Sequence, residues 1–158
     1  MDEHSRRVVH SNKKDEWATP QDFFDKINKT FNFTLDPCAT PNNAKCHKFY
    51  TMLDDGLSKS WKGETVFVNP PYSANKDWLK KCYEESLNPS TKVVVLIPSR
   101  TDTKYWHNYI MKAKEIYFIK GRLKFGGQKN SAPFPSCLVV FESSDTIKTP
   151  TMRTMERT

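Results

Sequence analysis

The chain has 158 residues and a net charge of +7 at pH 7, from 25 lysines and arginines against 18 acidic residues. Its length suits one domain, and a hydrophobic fraction of 37% excludes a disordered composition, while the positive charge favours polyanionic partners. The sequence shows no signal peptide, lipidation motif or apolar run of about 18 residues, so we expect a cytoplasmic protein without membrane contact. Its cysteines form no CxxC pair, and we expect them to be reduced thiols.

Predicted helices and strands alternate between residues 16 and 142, which we take as one domain. A basic arm (1–15) and a tail (143–158) flank this domain, and both are expected to be flexible. Thr19 is predicted to be the N-cap of a first helix with Pro20 at its first position. Further helices are predicted at 75–87 and 103–111, and strands at 33–35, 65–68, 92–97, 115–119 and 137–141.

The alternation predicts an α/β fold, because the apolar run 92–97 (KVVVLI) is typical of a strand buried on both faces of a helix-covered sheet. Polar segments marked by proline follow three of the predicted strands: Asp36-Pro37, Asn69-Pro70-Pro71-Tyr72 and Pro98-Ser99-Arg100. Ligands of such sheets bind at the carboxyl ends of the strands. We therefore expect these three strand ends to open onto one edge of the sheet.

Residues 69–72 (NPPY), which we call the elbow, end the strand 65–68. Pro70 and Pro71 lack backbone donors and fix φ, so they stop the strand and stiffen the chain. The side-chain carbonyl of Asn69 and the backbone carbonyl of Pro70 then suit a planar amine with two N–H donors. Accepting both hydrogens favours a pyramidal nitrogen with a lone pair free for attack, and Tyr72 offers a face on which a flipped base can stack.

The elbow resembles the motif of amino-group methyltransferases that use S-adenosylmethionine. The ordered segments EWATP (16–20), FTLDPCA (33–39), DDGLSKSW (54–61), VFVNPPYS (66–73) and IKGRLKFGG (119–127) together resemble the small phage-type DNA adenine-N6 methyltransferase family. This resemblance implies a Rossmann-like class I methyltransferase fold, with a mostly parallel sheet and no large target-recognition domain. It also implies methylation of an adenine flipped out of double-stranded DNA, in the cytoplasm of a bacterial host, by a phage- or prophage-encoded enzyme.

The resemblance assigns roles to matched positions. Asn69, Pro70, Pro71 and Tyr72 would form the catalytic set that holds the adenine. The implied contacts with S-adenosylmethionine are Trp17, Thr19 and Pro20 near its carboxylate, Asp36 and Pro37 beside its methionine part, and Asp54 or Asp55 at its adenine ring. The segment DPCAT stands where many methyltransferases show a glycine turn. A turn or cap role is the alternative for Asp36, for Asp55 and for the segment 17–20.

Residues 112–130 hold six lysines or arginines and one acid, a composition that favours phosphate contact. The predicted DNA contacts are Ser73, Arg100, Arg122, Lys124, Phe125 and Lys129, where Phe125 resembles an aromatic residue near the flipped base. Solvated surface charge is the alternative for the basic residues.

The chemistry needs no metal or covalent intermediate, because the sulfonium methyl group of the cofactor is already activated. No metal is predicted, since the spacing of Cys38, Cys46 and His47 fits no structural zinc pattern. Three alternatives stay open: methylation of adenine in RNA, methylation of a protein glutamine amide, and a degenerate DNA-binding module without activity. The sequence leaves the choice between monomer and homodimer undecided.

Overall fold

The computed structural model describes residues 17–146 and 149–158, and the predicted N-terminal arm lies outside these residues. The helices are α1 (Gln21–Phe31), α2 (Asn75–Ser86) and α3 (Lys104–Asn108). The strands are β1 (Leu35–Asp36), β2 (Lys48–Phe49), β3 (Thr65–Val68), β4 (Lys92–Pro98), β5 (Glu115–Lys120), β6 (Ser136–Glu142) and β7 (Thr151–Glu156). Short 3-10 turns occupy Gly56–Ser58, Tyr72–Ala74 and Ile110–Lys112.

The seven strands form one sheet in the order β2-β1-β3-β4-β6-β5-β7. Neighbouring strands are parallel except where β6 runs antiparallel to β4 and β5. Leu35 of β1 pairs with Val66 of β3, and Val68 of β3 pairs with Val95 of β4. The carboxyl ends of β1, β3 and β4 therefore meet at one edge of the sheet, as predicted.

Helices cover both faces of the sheet, because successive residues of a strand point to opposite sides. On one face, α1 packs Phe23, Phe24 and Ile27 against Phe67 and Val94. On the other face, α2 and α3 pack against the alternate strand positions, with buried Trp78, Leu79, Cys82 and Trp106 facing Val66, Val93 and Val95. The predicted mostly parallel, Rossmann-like α/β sheet with helices on both faces is thus confirmed.

The start of α1 differs from the prediction. Thr19 does not cap the helix, since its hydroxyl oxygen accepts a hydrogen bond from the Asn69 side chain instead. The helix begins at Gln21, where the backbone N–H of Phe24 donates to the carbonyl of Pro20 (3.0 Å). The predicted helix 103–111 is also shorter, because α3 ends at Asn108 and a 3-10 turn follows.

The C-terminal segment also departs from the expected flexible tail, since β7 pairs in parallel with β5 over its whole length. Arg153 of β7 forms an ion pair with Glu115 of β5, and Lys26 of α1 donates to the carbonyl of Glu156. The folded domain therefore extends beyond residue 142. In the described part of the chain, no helix is both long and apolar enough to span a bilayer.

Candidate active site

The elbow leads the chain from the sheet into α2. Asn69 follows directly on β3 and Pro70 after it is buried, and the carbonyl of Pro71 accepts the backbone N–H of Ala74 (2.9 Å) to form a 3-10 turn. Because neither proline can donate to a neighbouring strand, β3 ends here. The geometry places Asn69 at the carboxyl edge, beside β1 and β4.

The Asn69 amide is held by its nitrogen. Its Nδ2 donates to the backbone carbonyl of Trp17 and to the hydroxyl oxygen of Thr19 (3.0 Å). Its Oδ1 is buried and has no hydrogen-bond partner among the described residues. Since an amide has two donor hydrogens and both are used, Asn69 offers the site an acceptor.

Tyr72 belongs to a group of four rings, Trp17, Tyr72, Phe125 and Phe134, which we call the aromatic cluster. The Tyr72 ring meets Phe134 edge-on at 5.6 Å and Phe125 at 6.4 Å, and Trp17 lies 5.2 Å from Phe134. The Tyr72 hydroxyl is buried without a partner in the described part of the chain, and this burial raises the pKa of Tyr72 above its usual value. Tyr72 as a whole residue is only partly buried.

Phe125, predicted to pack near the flipped base, lies inside the aromatic cluster. It is 1% exposed and packs beneath Trp17 and Tyr72, so it supports the cluster without offering a free face. Sequence reasoning missed Phe134, which completes the cluster just before β6. Its position between Pro133 and Pro135 was the available signal, because such a rigid segment can fix a ring at a strand start.

Buried polar atoms without partners gather at this edge of the sheet. Within the described residues they are Asn69 Oδ1, the Tyr72 hydroxyl, Asn75 Oδ1 and Ser136 Oγ. Asn75 opens α2 just after the elbow, and Ser136 of β6 lies opposite Pro98 at the end of β4. Sequence reasoning missed both residues. Buried polar groups are normally hydrogen-bonded, so such a cluster marks a place where a ligand can supply partners.

Asp36 ends β1 and is 4% exposed. Its carboxylate accepts the backbone N–H groups of Cys38 (3.3 Å) and Lys45 (3.0 Å), and it therefore closes the loop 37–45. Burial raises the pKa of Asp36, and the two backbone hydrogen bonds and the nearby charge of Lys45 oppose this effect. Burial, with the Asp36 charge, also raises the pKa of the Cys38 thiol to about 12, so this thiol is protonated near neutral pH.

The two candidate acidic residues of the segment 54–61 differ in their surroundings. The Asp54 carboxylate accepts the backbone N–H (2.8 Å) and the hydroxyl (3.0 Å) of Thr51, and these bonds lower the pKa of Asp54. Asp55 is exposed at a left-handed φ of 57°, and its carboxylate has no partner among the described residues. Asp55 is therefore the better placed of the two to accept hydrogen bonds from a ligand.

Gly56 connects this segment to the end of β1. A Cβ atom at this position would lie 2.1 Å from the backbone carbonyl oxygen of Pro37, so only glycine allows the contact. The buried indole of Trp61 donates to the carbonyl of Gly56 (3.0 Å) and fixes the turn from the other side. This packing holds Asp55 close to the loop that follows Asp36.

The predicted DNA contacts other than Phe125 lie on the protein surface. Exposed side chains occupy Ser73, Arg100, Arg122, Lys124 and Lys129. The guanidinium of Arg100 lies 5.9 Å from the Phe134 ring, so this charge borders the aromatic cluster. The other three basic residues belong to the loop 121–135, which also carries Phe125 and Phe134.

In the described residues, no group of three or more histidine, cysteine or acidic side chains is arranged to hold a metal ion. The cysteines at 38, 46, 82 and 137 are all free thiols.

Comparison with known proteins gives consistent results. The sequence model of the DNA N-6-adenine-methyltransferase (Dam) family matches residues 7–153. The chain is 33% identical over 137 residues to a DNA N-6-adenine-methyltransferase of Haemophilus phage HP1, with 82% of this chain and 79% of the relative covered. It is 29% identical over 112 residues to a protein of the same name from Escherichia phage T1, with 70% of this chain and 47% of the relative covered.

Proposed function

Because the chain belongs to the DNA N-6-adenine-methyltransferase family and is an enzyme that methylates adenine N6 in DNA, we propose that the elbow holds the target adenine beside bound S-adenosylmethionine. The adenine would be flipped out of double-stranded DNA, which costs a few kcal/mol of lost stacking and pairing. Since both relatives are phage proteins, we place this activity in the cytoplasm of a phage-carrying bacterium.

The cluster of buried, unpartnered polar atoms carries this proposal. Asn69 Oδ1 is an acceptor without a partner among the described residues, at the point where a strand end meets the elbow. It would accept one hydrogen of the adenine amine, and the Pro70 carbonyl, fixed by the ring of its own residue and of Pro71, would accept the other. Holding both hydrogens turns the nitrogen lone pair outward, and accurate positioning supplies much of the rate of such a transfer.

Tyr72 would bind the ring of the same base. Its side chain is fixed edge-on by Phe125 and Phe134, and because Tyr72 is only partly buried, its ring would offer a surface for stacking. Base stacking on an aromatic side chain contributes about 1–3 kcal/mol. The cluster thus gives the elbow a rigid support on which the adenine amine can be oriented.

The residues at the end of β1 fit the cofactor. When bound, S-adenosylmethionine would supply an activated methyl group. Asp36 lies beside β3 at the same sheet edge as the elbow, and the contact between Gly56 and Pro37 holds Asp55 next to it. The two carboxylates are suited to accept hydrogen bonds from an amine and from hydroxyl or amino donors of a nucleoside.

The basic surface would hold the flanking phosphates. Arg100 borders the aromatic cluster, and Arg122, Lys124 and Lys129 lie on the loop that carries two of its rings. Charge at these positions would attract DNA without reading its sequence, because phosphate contacts position a protein on the duplex.

The test is the variant Asn69→Ala. We expect kcat for methyl transfer to DNA to fall by about 10²- to 10³-fold, as for loss of one preorganised hydrogen-bonding group, while the Kd for S-adenosylmethionine stays the same. Labelled cofactor, identification of the methylated nucleoside and calorimetry measure these quantities. Asn108→Ala, an exposed asparagine at the end of α3, is the matched control and should behave as wild type.

Near-normal turnover of Asn69→Ala would show that the elbow does not hold the amine. Preferential labelling of RNA over DNA in the same assay would instead contradict the proposed substrate.

A further inference from the structure

The segment before α1 contacts the elbow from a distant part of the sequence. Asn69 Nδ2 donates to Trp17 and Thr19, which lie 52 and 50 residues earlier in the chain. We propose that Thr19 is a positioning residue which, together with the Trp17 carbonyl, fixes the orientation of the Asn69 amide so that Oδ1 faces the target amine. This inference rests on the proposed function and assigns Thr19 a role other than cofactor binding.

The two acceptors act differently on the amide. An asparagine amide turned by 180° exchanges an acceptor for a donor in almost the same shape. The Trp17 carbonyl can only accept, so a turned amide would bring two oxygens together and leave the carbonyl without its donor. The Thr19 hydroxyl accepts the second hydrogen, which completes the bonding of Nδ2 and removes any free donor on that side.

The segment 17–19 is itself firmly held. The backbone N–H of Gly126 donates to the carbonyl of Ala18 (2.8 Å), and the Trp17 ring packs into the aromatic cluster. Thr19 is 5% exposed. A buried hydroxyl that accepts from Asn69 is well placed to keep this one side chain in one orientation.

This arrangement has a consequence for substrate choice. With Oδ1 fixed toward the base, Asn69 favours a group with N–H donors, such as the adenine amine. A 6-oxopurine would bring its carbonyl oxygen against Oδ1 and would be rejected. If the amide could turn, this selectivity would weaken, because Nδ2 would then face the base as a donor.

The kinetic test is Thr19→Val, which keeps the shape of the side chain and removes the hydroxyl. We expect kcat to fall about five- to tenfold with an unchanged Kd for S-adenosylmethionine, and Thr19→Ser to restore kcat to within about twofold of wild type. Thr30→Val, at an exposed position of α1, is the control for the chemical change. A weaker cofactor Kd with unchanged kcat would overturn the inference and make Thr19 a cofactor contact.

A second measurement does not depend on activity. In ¹⁵N-labelled protein, the side-chain amide protons of Asn69 are identified by their disappearance in Asn69→Ala. We expect Thr19→Val to move one of these two proton resonances and Thr19→Ser to leave both near their wild-type positions. Unchanged resonances in Thr19→Val would refute the positioning role. Should this variant fail to fold, Thr19→Ala, which only removes atoms, replaces it.

Together, the two measurements test the positioning role of Thr19 separately from the proposed function. Resonances that shift in Thr19→Val, together with full turnover of Asn69→Ala, would leave the amide contact in place and reject the catalytic role of Asn69.

Discussion

The substitution Gly56→Ala tests whether the two acidic segments must be in contact for cofactor binding. The new Cβ would lie 2.1 Å from the carbonyl oxygen of Pro37 and 3.1 Å from its carbonyl carbon. Both partners belong to the backbone, so no side chain can rotate away. The segments must separate by about 1 Å, and the hydrogen bond from Trp61 to the Gly56 carbonyl is strained by the same movement.

The expected loss of folding stability in Gly56→Ala follows from these two effects. Overpacking of a buried contact costs about 1–3 kcal/mol, and weakening the buried indole hydrogen bond adds about 1 kcal/mol. For a chain of this size the melting temperature should fall by about 5–15 °C. Asp55 would move away from the Asp36 side of the site, and loss of one charge-assisted hydrogen bond, worth about 1.5–3 kcal/mol, would weaken cofactor binding about 10- to 100-fold.

Thermal unfolding and calorimetry with S-adenosylmethionine measure both effects. Gly63→Ala is the control, because Gly63 has a φ of 80° and open space around its Cβ position. That variant should lose about 1 kcal/mol through backbone strain alone and keep the wild-type cofactor Kd. A Gly56→Ala protein that binds the cofactor as tightly as wild type would refute the role assigned to this contact.

Two further predictions concern the elbow and the basic loop. Tyr72→Phe should unfold at the wild-type temperature or above it, because the hydroxyl removed is buried without a partner among the described residues and the ring remains; a melting temperature several degrees lower would contradict this. Lys124→Gln and Lys129→Gln should each reduce the slope of log K against log salt for DNA binding by about 0.9, as measured by fluorescence anisotropy. The control is Lys62→Gln, at an exposed position near the opposite end of β3, which should leave the slope unchanged. Equal slopes for all three variants would exclude phosphate contact by Lys124 and Lys129.

The central strands of the sheet could be predicted because the sequence pattern that indicates them is local. Val93 to Ile97 form an uninterrupted apolar run, and alternate residues of that run belong to the cores on the two faces of the sheet. Asn69 and Pro70 after β3, and Pro98 as the last residue of β4, indicated where these strands stop. Parallel order then brings the ends of β1, β3 and β4 together without any knowledge of individual contacts.

The edge strands could not be predicted in the same way. β7 is exposed along almost its whole length, so its residues show no alternation between apolar and polar positions. Its pairing depends on the open edge of β5, which is more than thirty residues earlier in the chain. β2 has two residues, which is too short for any periodic pattern.

The partners of individual polar side chains are equally hidden in the sequence. A threonine before a proline and a helical pattern is a good candidate for a cap, yet the Thr19 hydroxyl is bonded to Asn69. Local preference was overridden because a buried amide nitrogen with two hydrogens needs two acceptors. The segment 17–19 supplies both of them.

Asn75 and Ser136 extend the site beyond its motif. Neither belongs to a recognisable pattern. Asn75 opens α2 just after the elbow, and Ser136 reaches the same sheet edge because β6 begins where β4 ends. Each buried polar atom without a partner costs about 1–3 kcal/mol of folding free energy, so four of them at one sheet edge substantially destabilise a domain of this size. These atoms lie near the strand ends and not in the helix-covered core. We therefore attribute this loss of stability to hydrogen bonds that the proposed substrate and cofactor would make, and not to packing.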